Sequence, residues 1–411
     1  MQKPTPGRAD SSGRLEDFEW LTSPEAAAWL DWAAKSAQSL SVQVDHLRAQ
    51  CTREQTHLVL EQVALRHKGR AKFAAAANMF FTPRGLEQAT DEIVAAHKAQ
   101  RFHGRQTIYD LCSGIGGDLL ALAQQGRCVG FDRDPIMVAI ALANARSTAA
   151  SADEALTRRG VEVCVQDVAQ LDLADCAAWH IDPDRRPAGR RTTLVDLHEP
   201  GPILMERLLA NNPNAAIKLA PAARMPPNWL EQAETEWISR GRECRQLVAW
   251  FGELARSPGS RSASVLGATP QDCRTVTGRP HLEPPLAGEM GSYLFEPDAA
   301  VLAARLGGVL ACEHGLAAIA PGVAYWTGDR VISDSALACF EVRDVLPFRL
   351  KTLKTYLRER RIGQLEIKKR GVEQDPAELR RQLDLGGPES ATLLLARIEK
   401  RVIAIIARRL S

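Results

Sequence analysis

The nine cysteines are scattered singly, and none forms a Cys-x-x-Cys pair. That spacing offers neither a zinc site nor a disulfide framework, and it suits free thiols in a reducing cytosol. Long apolar runs are missing too, so no segment is expected to span a membrane. The first residues, Met1 to Arg14, are polar and lack the apolar stretch of a secretory signal. These absences lead us to expect a cytoplasmic protein with no metal and no membrane partner. Internal repeats are absent. A charge excess of one sign is also missing, since the chain totals only +2, but the balance is uneven. Residues 341–411 hold 17 Lys and Arg against 10 Asp and Glu, which leaves about −5 for the rest. A basic tail on a near-neutral body suggests a polyanion partner or a solvated charged surface.

The length of 411 residues suits two or three domains. We expect a disordered tail over 1–16 and a helical region over 17–104. Ser23-Pro24 opens a helix to about Ala37, Thr52-Arg53-Glu54-Gln55 reads as a capping box opening one to about His67, and Thr82-Pro83 opens one to about Gln100. Over 105–268 short apolar strands alternate with helices, the pattern of a doubly wound α/β sheet. Strands are expected at 107–111, 127–131, 161–165, 178–181 and 214–219, and helices at 117–125, 135–148, 200–211 and 228–234. Three β-like runs near 236–239, 245–251 and 262–266 follow without helices. Residues 269–291 read as a linker. Residues 292–411 read as an α+β module: a helix over 297–313, strands at 340–342 and 365–368, helices after Pro347 and Asp375-Pro376, and a hairpin from Ala391 to Arg409.

Asp110-Leu-Cys-Ser-Gly-Ile-Gly-Gly-Asp118 is the most informative stretch. It joins a strand to a helix through Gly114, Gly116 and Gly117, which allow a sharp turn and close approach of a ligand. A pyrophosphate site of the Gly-x-Gly-x-x-Gly type needs a third glycine at position 119, which is Leu. Asp110 before the turn would repel pyrophosphate, yet it suits a cationic ligand such as the amino-acid end of S-adenosylmethionine. Asp132, ending the second strand, stands where an acid commonly holds ribose hydroxyls. The alternative, that both are solvated loop acids, leaves their spacing around the glycines unexplained.

His180-Ile-Asp-Pro-Asp-Arg-Arg186 ends the fourth strand, beside the first in a doubly wound sheet. Asp182 there could orient or deprotonate a methyl acceptor, Pro183 would stiffen the turn, and Arg185 and Arg186 could hold phosphate. An ordinary strand-to-turn transition with surface arginines is the competing reading. No aromatic residue is present to stack a flipped base, and no Pro-Cys pair offers a nucleophilic thiol. Asp167 could reach an adenine amino group or cap a helix. Lys218 lies inside an apolar strand, either facing the cleft and an anionic substrate or snorkelling from an edge. The stretch from Arg349 to Arg361 sets Leu350, Leu353 and Leu357 among six Lys and Arg residues, and Lys368-Lys369-Arg370 follows. This surface suits a phosphate backbone, or solvent. Only Phe348 and Tyr356 supply aromatic rings there, so base stacking is weakly indicated.

In linked order, Lys72-Phe73, Leu86 to Thr90, Asp110 to Asp118, Asp132 to Pro135, Asp182 to Arg186, Tyr293 to Pro297, Glu366 to Gly371 and the terminal hairpin resemble a bacterial family of class I S-adenosylmethionine-dependent methyltransferases with a C-terminal THUMP-like domain. The resemblance implies a Rossmann-like doubly wound sheet and cofactor contacts at Asp110, Gly114, Gly116 and Asp132. With the rest of the motif and Asp167, the expected cofactor set is Asp110, Cys112, Gly114, Gly116, Asp118, Asp132 and Asp167. THUMP domains bind RNA, so the resemblance implies an RNA substrate; Lys218, Lys368, Lys369 and Arg370, read above from their charge and position, are the expected substrate contacts. Asp184 departs from the family's usual Asp-Pro-Ala-Arg-Arg and adds negative charge. The residues leave open an enzyme acting on protein or a small molecule, and a non-catalytic RNA-binding protein that keeps the cofactor fold.

Overall fold

The computed structural model describes residues 15–149, 160–184, 193–269 and 271–410. Most of the tail expected at 1–16 lies outside the described residues, as do Arg185 and Arg186; Leu15 and Glu16 already belong to a helix. The chain divides into two compact units, Met1–Ala233 with Ala249–Arg256, and Glu234–Val248 with Ser257–Ser411. The division near Ala233 precedes the boundary expected at 268.

The first unit begins with helices α1 (Leu15–Leu21), α2 (Pro24–Lys35), α3 (Leu40–Arg48), α4 (Arg53–Gly69), α5 (Pro83–Gln88) and α6 (Glu92–Ala99). The Thr52 box is complete: its Oγ1 accepts from Gln55 N at 3.1 Å, and Gln55 Oε1 accepts from Thr52 N at 2.9 Å. The single helix expected from 83 to about 100 is broken in two. Asp91 caps a new start by accepting from Ile93 N at 3.0 Å, satisfying a donor that an uninterrupted helix would not expose. Phe18, Leu47, Val59, Phe73 and Phe81 share one core with Ile115 of the glycine loop and Ile136 and Ile140 of a later helix. Burying each such side chain stabilises the fold by about 1.5–3 kcal/mol. Asn144, fully buried, completes the junction: its Nδ2 donates to Phe80 O at 3.0 Å and Ile115 O at 2.9 Å, while Phe80 N donates to its Oδ1 at 2.7 Å.

Next come β1 (Thr107–Leu111), α7 (Gly117–Leu122), β2 (Arg127–Asp132), α8 (Pro135–Ala149), β3 (Val161–Val165), β4 (Ala178–Ile181), α9 (Pro202–Asn211), β5 (Ala215–Leu219) and α10 (Pro227–Gln232). The strands lie in the order β3-β2-β1-β4-β5, all parallel. Strand β1 is flanked by β2 on one side and β4 on the other, so connections leave it in opposite directions and a crevice opens at the strands' carboxyl ends. Register places Asp110 opposite both Gly130 and His180.

The second unit opens with β6 (Glu234–Arg240), β7 (Glu243–Trp250), β8 (Arg261–Leu266) and β9 (Cys273–Gly278); the last two residues of β7 are counted with the first unit. Strand β9 occupies part of the expected linker. It pairs antiparallel with β8, closed by Gly267 N donating to Asp272 O at 2.7 Å, and it buries Val276. Then follow β10 (Tyr293–Pro297), α11 (Ala299–Ala303), α12 (Gly307–Glu313), β11 (Ala317–Ala318), β12 (Trp326–Gly328), β13 (Leu337–Pro347), α13 (Leu350–Glu359), β14 (Ile362–Arg370), α14 (Pro376–Leu383), β15 (Glu389–Ile398) and β16 (Arg401–Arg409). The helix expected over 297–313 is two helices, because Arg305 turns left-handed at φ 59°. The sheet order is β11-β12-β10-β13-β16-β15-β14, with β15 and β16 forming the terminal hairpin. Alternation in that hairpin supplies two cores: Leu393, Leu395 and Ile406 join Leu353 and Leu357, whereas Leu394 and Ile405 join Phe340 and Tyr325.

Candidate active site

A cleft of about 690 Å³ lies in the first unit, within the range of small-ligand sites. Its walls include Asp110, Cys112 and Gly114 from the glycine loop, Asp132 from β2, and Asp182 after β4. The loop is shaped by its glycines. Gly116 at φ 89° caps α7, and Gly114 at φ 53° would meet nothing with an added Cβ, leaving its cleft side open. The absent third glycine is also explained: Leu119 is fully buried and packs against Gly130.

The acids differ sharply in what they do. Asp132 Oδ2 accepts from Gly114 N at 2.9 Å and Oδ1 from Asp134 N at 3.0 Å, which fixes the carboxylate at the cleft. Burial pushes its pKa up, and those two N–H groups pull it back. Asp110 is almost fully buried. Its Oδ1 meets His180 Nδ1 at 2.7 Å, while Oδ2 has no hydrogen-bond partner among the described residues. Ser113 Oγ is likewise buried without a partner. Buried polar atoms of this kind need an explanation. An orphaned carboxylate oxygen in a cleft fits a cationic group, and the open face of Gly114 fits close approach by a ligand. Cys112 lines the cleft at φ 60°, its thiol pKa pushed well up by burial.

Two further acids of the expected cofactor set have partners within the protein. Asp118 borders the cleft and pairs with Lys98 at 2.7 Å and with the Thr90 hydroxyl at 2.6 Å. Burial alone would raise its pKa, but Lys98, His180 and Lys218 outweigh that and hold it well below the carboxylate range. Its role in the structure is to compensate a buried lysine. Asp167 borders the cleft but accepts from Ala169 N at 2.8 Å, capping a short 3-10 turn.

At the end of β4, Asp182 and Pro183 line the cleft. Lys218 does not present its ammonium to the cleft as an anion receptor. It is buried, donates to Thr90 Oγ1 at 2.9 Å and forms an ion pair with Asp182 Oδ2. Burying a lysine head without a counterion would cost several kcal/mol, so Asp182 is its natural partner. Asp184, the departure from the family pattern, is not a loose charge: Arg84 Nη2 donates to it at 2.8 Å and Gln88 Nε2 at 3.3 Å.

The structure also brings in Thr90, Lys98 and His180, which the sequence reading left without a role. One signal was available for Lys98. It falls on the buried face of α6 with Val94, and a lysine on an apolar face is as unusual as Lys218 in its strand.

In the second unit the cations expected to meet substrate are mostly engaged. Lys368 Nζ pairs with Glu296 Oε2 at 2.7 Å, Arg370 Nη2 pairs with Glu296 Oε1 at 3.0 Å, and Lys369 Nζ reaches Glu373 O at 3.4 Å. Two cations are needed here because Glu296 is itself buried. By contrast, Lys351, Lys354 and Arg358 of α13 are exposed and make no ion pair among the described residues, while Leu353, Tyr356 and Leu357 on the opposite face are buried.

Residues 337–409 match the model of the THUMP domain-like family. An uncharacterized S-adenosylmethionine-dependent methyltransferase of Mycobacterium tuberculosis, found in strains CDC 1551 and H37Rv, is 33% identical over 329 residues, covering 77% of this chain and 84% of the relative. The crystal structure of a candidate methyltransferase from Porphyromonas gingivalis W83 shares the fold at a TM-score of 0.76 and 19% identity, over 93% of this chain and 98% of that one. Among the described residues no helix is long and apolar enough to cross a membrane. With a parallel sheet, an acid-flanked glycine loop and a relative of this identity and coverage, the chain belongs to the family of S-adenosylmethionine-dependent methyltransferases.

Proposed function

We propose that this methyltransferase acts on RNA, with the second unit capturing the nucleic acid and the first carrying the reaction. The observation that carries the reading is the row Lys351, Lys354 and Arg358, exposed on one face of α13 in the segment that matches the THUMP domain-like family. Cations left without internal partners are the kind that exchange counterions with phosphate. Lys368 and Arg370, held by Glu296, would shape that surface and not bind it directly.

In the cleft, Asp110 Oδ2 would take the cofactor's ammonium, Asp132 its ribose hydroxyls and the open face of Gly114 its close approach. S-adenosylmethionine supplies an electrophilic methyl group when bound. Asp182 is the one acid at the carboxyl end of β4 that both reaches the cleft and is held by a lysine. It would accept a hydrogen bond from the acceptor atom and the proton that atom gives up. Arg185 and Arg186 follow directly and would hold a substrate phosphate. The reading predicts that Asp182→Ala keeps cofactor affinity and loses turnover.

The test incubates the enzyme and labelled S-adenosylmethionine with RNA, DNA and protein fractions from cells lacking it. Label in RNA that disappears with Asp182→Ala supports the proposal. Label confined to protein or to small molecules would overturn the RNA reading and leave the family assignment standing.

A further inference from the structure

A connected set of polar side chains, several of them lining the cleft, runs through the first unit, and its donors and acceptors follow from the charge on Lys98. Burial pulls the Lys98 pKa down and Asp118 pulls it back up; paired with that carboxylate the side chain is an ammonium, which has only protons to give. Fully buried, it pairs with Asp118 Oδ1 at 2.7 Å and lies 3.1 Å from His180 Nε2. An ammonium can face an imidazole nitrogen at that distance only if the nitrogen accepts. Nε2 then carries no proton, Nδ1 carries one, and Nδ1 donates to Asp110 Oδ1 at 2.7 Å. Asp118 Oδ2 also faces Nε2, at 4.0 Å, and would favour a proton there, which in a neutral ring would leave Nδ1 bare, so Lys98 decides between the two tautomers. A second branch is equally determined. The Thr90 hydroxyl donates to Asp118 Oδ2 at 2.6 Å, so its oxygen is free to accept from Lys218 at 2.9 Å, and Lys218 pairs with Asp182.

We propose that Lys98 is a positioning residue, whose ammonium fixes His180 as the neutral Nδ1–H tautomer so that Asp110 is held through Oδ1 and keeps Oδ2 free of internal partners. A lysine 82 residues before His180 thereby sets the orientation of the acid read as cofactor-binding. Only the last link, Oδ2 to an ammonium, rests on the cofactor contacts proposed above; the tautomer does not.

Nitrogen-15 labelling of histidine, with the His180 signal identified by His180→Gln, reads the tautomer in the unmodified enzyme. The expected result is a protonated Nδ1 and a bare Nε2. A protonated Nε2 or a cationic ring overturns the proposal without any need for a variant at Lys98. Calorimetry then compares S-adenosylhomocysteine with its analogue lacking the α-amino group. Loss of a charge-assisted contact should cost the unmodified enzyme about tenfold in affinity or more. In Lys98→Met, where Asp118 can draw the ring proton to Nε2 and leave a bare Nδ1 facing Asp110, the same deletion should cost markedly less. An equal loss in both proteins shows that Lys98 does not position Asp110 and overturns the proposal. No loss in the unmodified enzyme overturns the assignment of the ammonium to Asp110, and the nitrogen signals still decide the tautomer.

Discussion

Arg84 and Asp184, a hundred residues apart in sequence, meet at 2.8 Å on the wall of the cleft. The contact ties α5 to the turn after β4, and it gives the unusual acid of the Asp-Pro-Asp stretch a partner. Both side chains retain solvent access, at 39% and 24%. Solvent screening therefore limits what the pair contributes, and a double-mutant cycle of Arg84→Ala and Asp184→Ala in urea should give a coupling of about 1 kcal/mol or less. A coupling of about 3 kcal/mol or more would mean that the wall is closed to water.

The pair Lys98–Asp118 should behave in the opposite way, being buried on both sides. Asp118→Asn leaves a buried ammonium uncompensated and should cost about 3–5 kcal/mol at neutral pH. The folded pKa of Asp118 is depressed, so its stabilisation is fully present above the unfolded value of about 3.9 and is lost as pH falls below it. The stability gap between the unmodified protein and Asp118→Asn should therefore shrink below about pH 4. Asp110, pushed up chiefly by burial and further by Asp118, acts in the opposite sense, and Asp118→Asn removes that second push. A gap constant from pH 7 to the acid transition would show that Asp118 is not ionised against Lys98.

How much of this could be read from sequence depends on distance along the chain. Strands β1 to β5 were legible because apolar runs, glycine turns and terminal acids repeat at short range. The break between α5 and α6 was missed because the Asp91 cap competes with a helical pattern that continues through it. Lys98 and His180 are separated by 82 residues, and nothing local says they touch. The cations of the second unit show the same limit. Lys368-Lys369-Arg370 looks like a binding patch in a charge count, but Glu296 neutralises two of its members from 74 residues away in the case of Arg370.

Thiol reactivity offers an independent check of the packing. Burial pushes Cys176 and Cys244 up to about 12, and Cys128 well above the ordinary range, whereas Cys312 is exposed. Since the thiolate is the nucleophile, iodoacetamide at pH 8 should modify Cys312 first and leave Cys128, Cys176 and Cys244 intact in the native state. Peptide mass mapping after timed quenching reads the order. Early modification of Cys128 would contradict its place in the sheet.

The row on α13 gives the sharpest test of the nucleic-acid reading. Replacing Lys351, Lys354 and Arg358 with Ala removes three exposed charges without touching Leu353, Tyr356 or Leu357, so the fold should survive with a change in stability of about 0.5 kcal/mol per site or less. Each cation that contacts single-stranded phosphate contributes about 0.7 to the slope of log affinity against log salt. The triple variant should therefore bind RNA more weakly and with a slope shallower by about 2. Lys368→Ala should behave differently, because it frees Glu296 beside Arg370 instead of removing a free cation. Its salt slope should stay near that of the unmodified protein while its thermal stability falls. If the triple variant keeps both affinity and slope, the row is a solvated surface and the acceptor must be sought among proteins and small molecules.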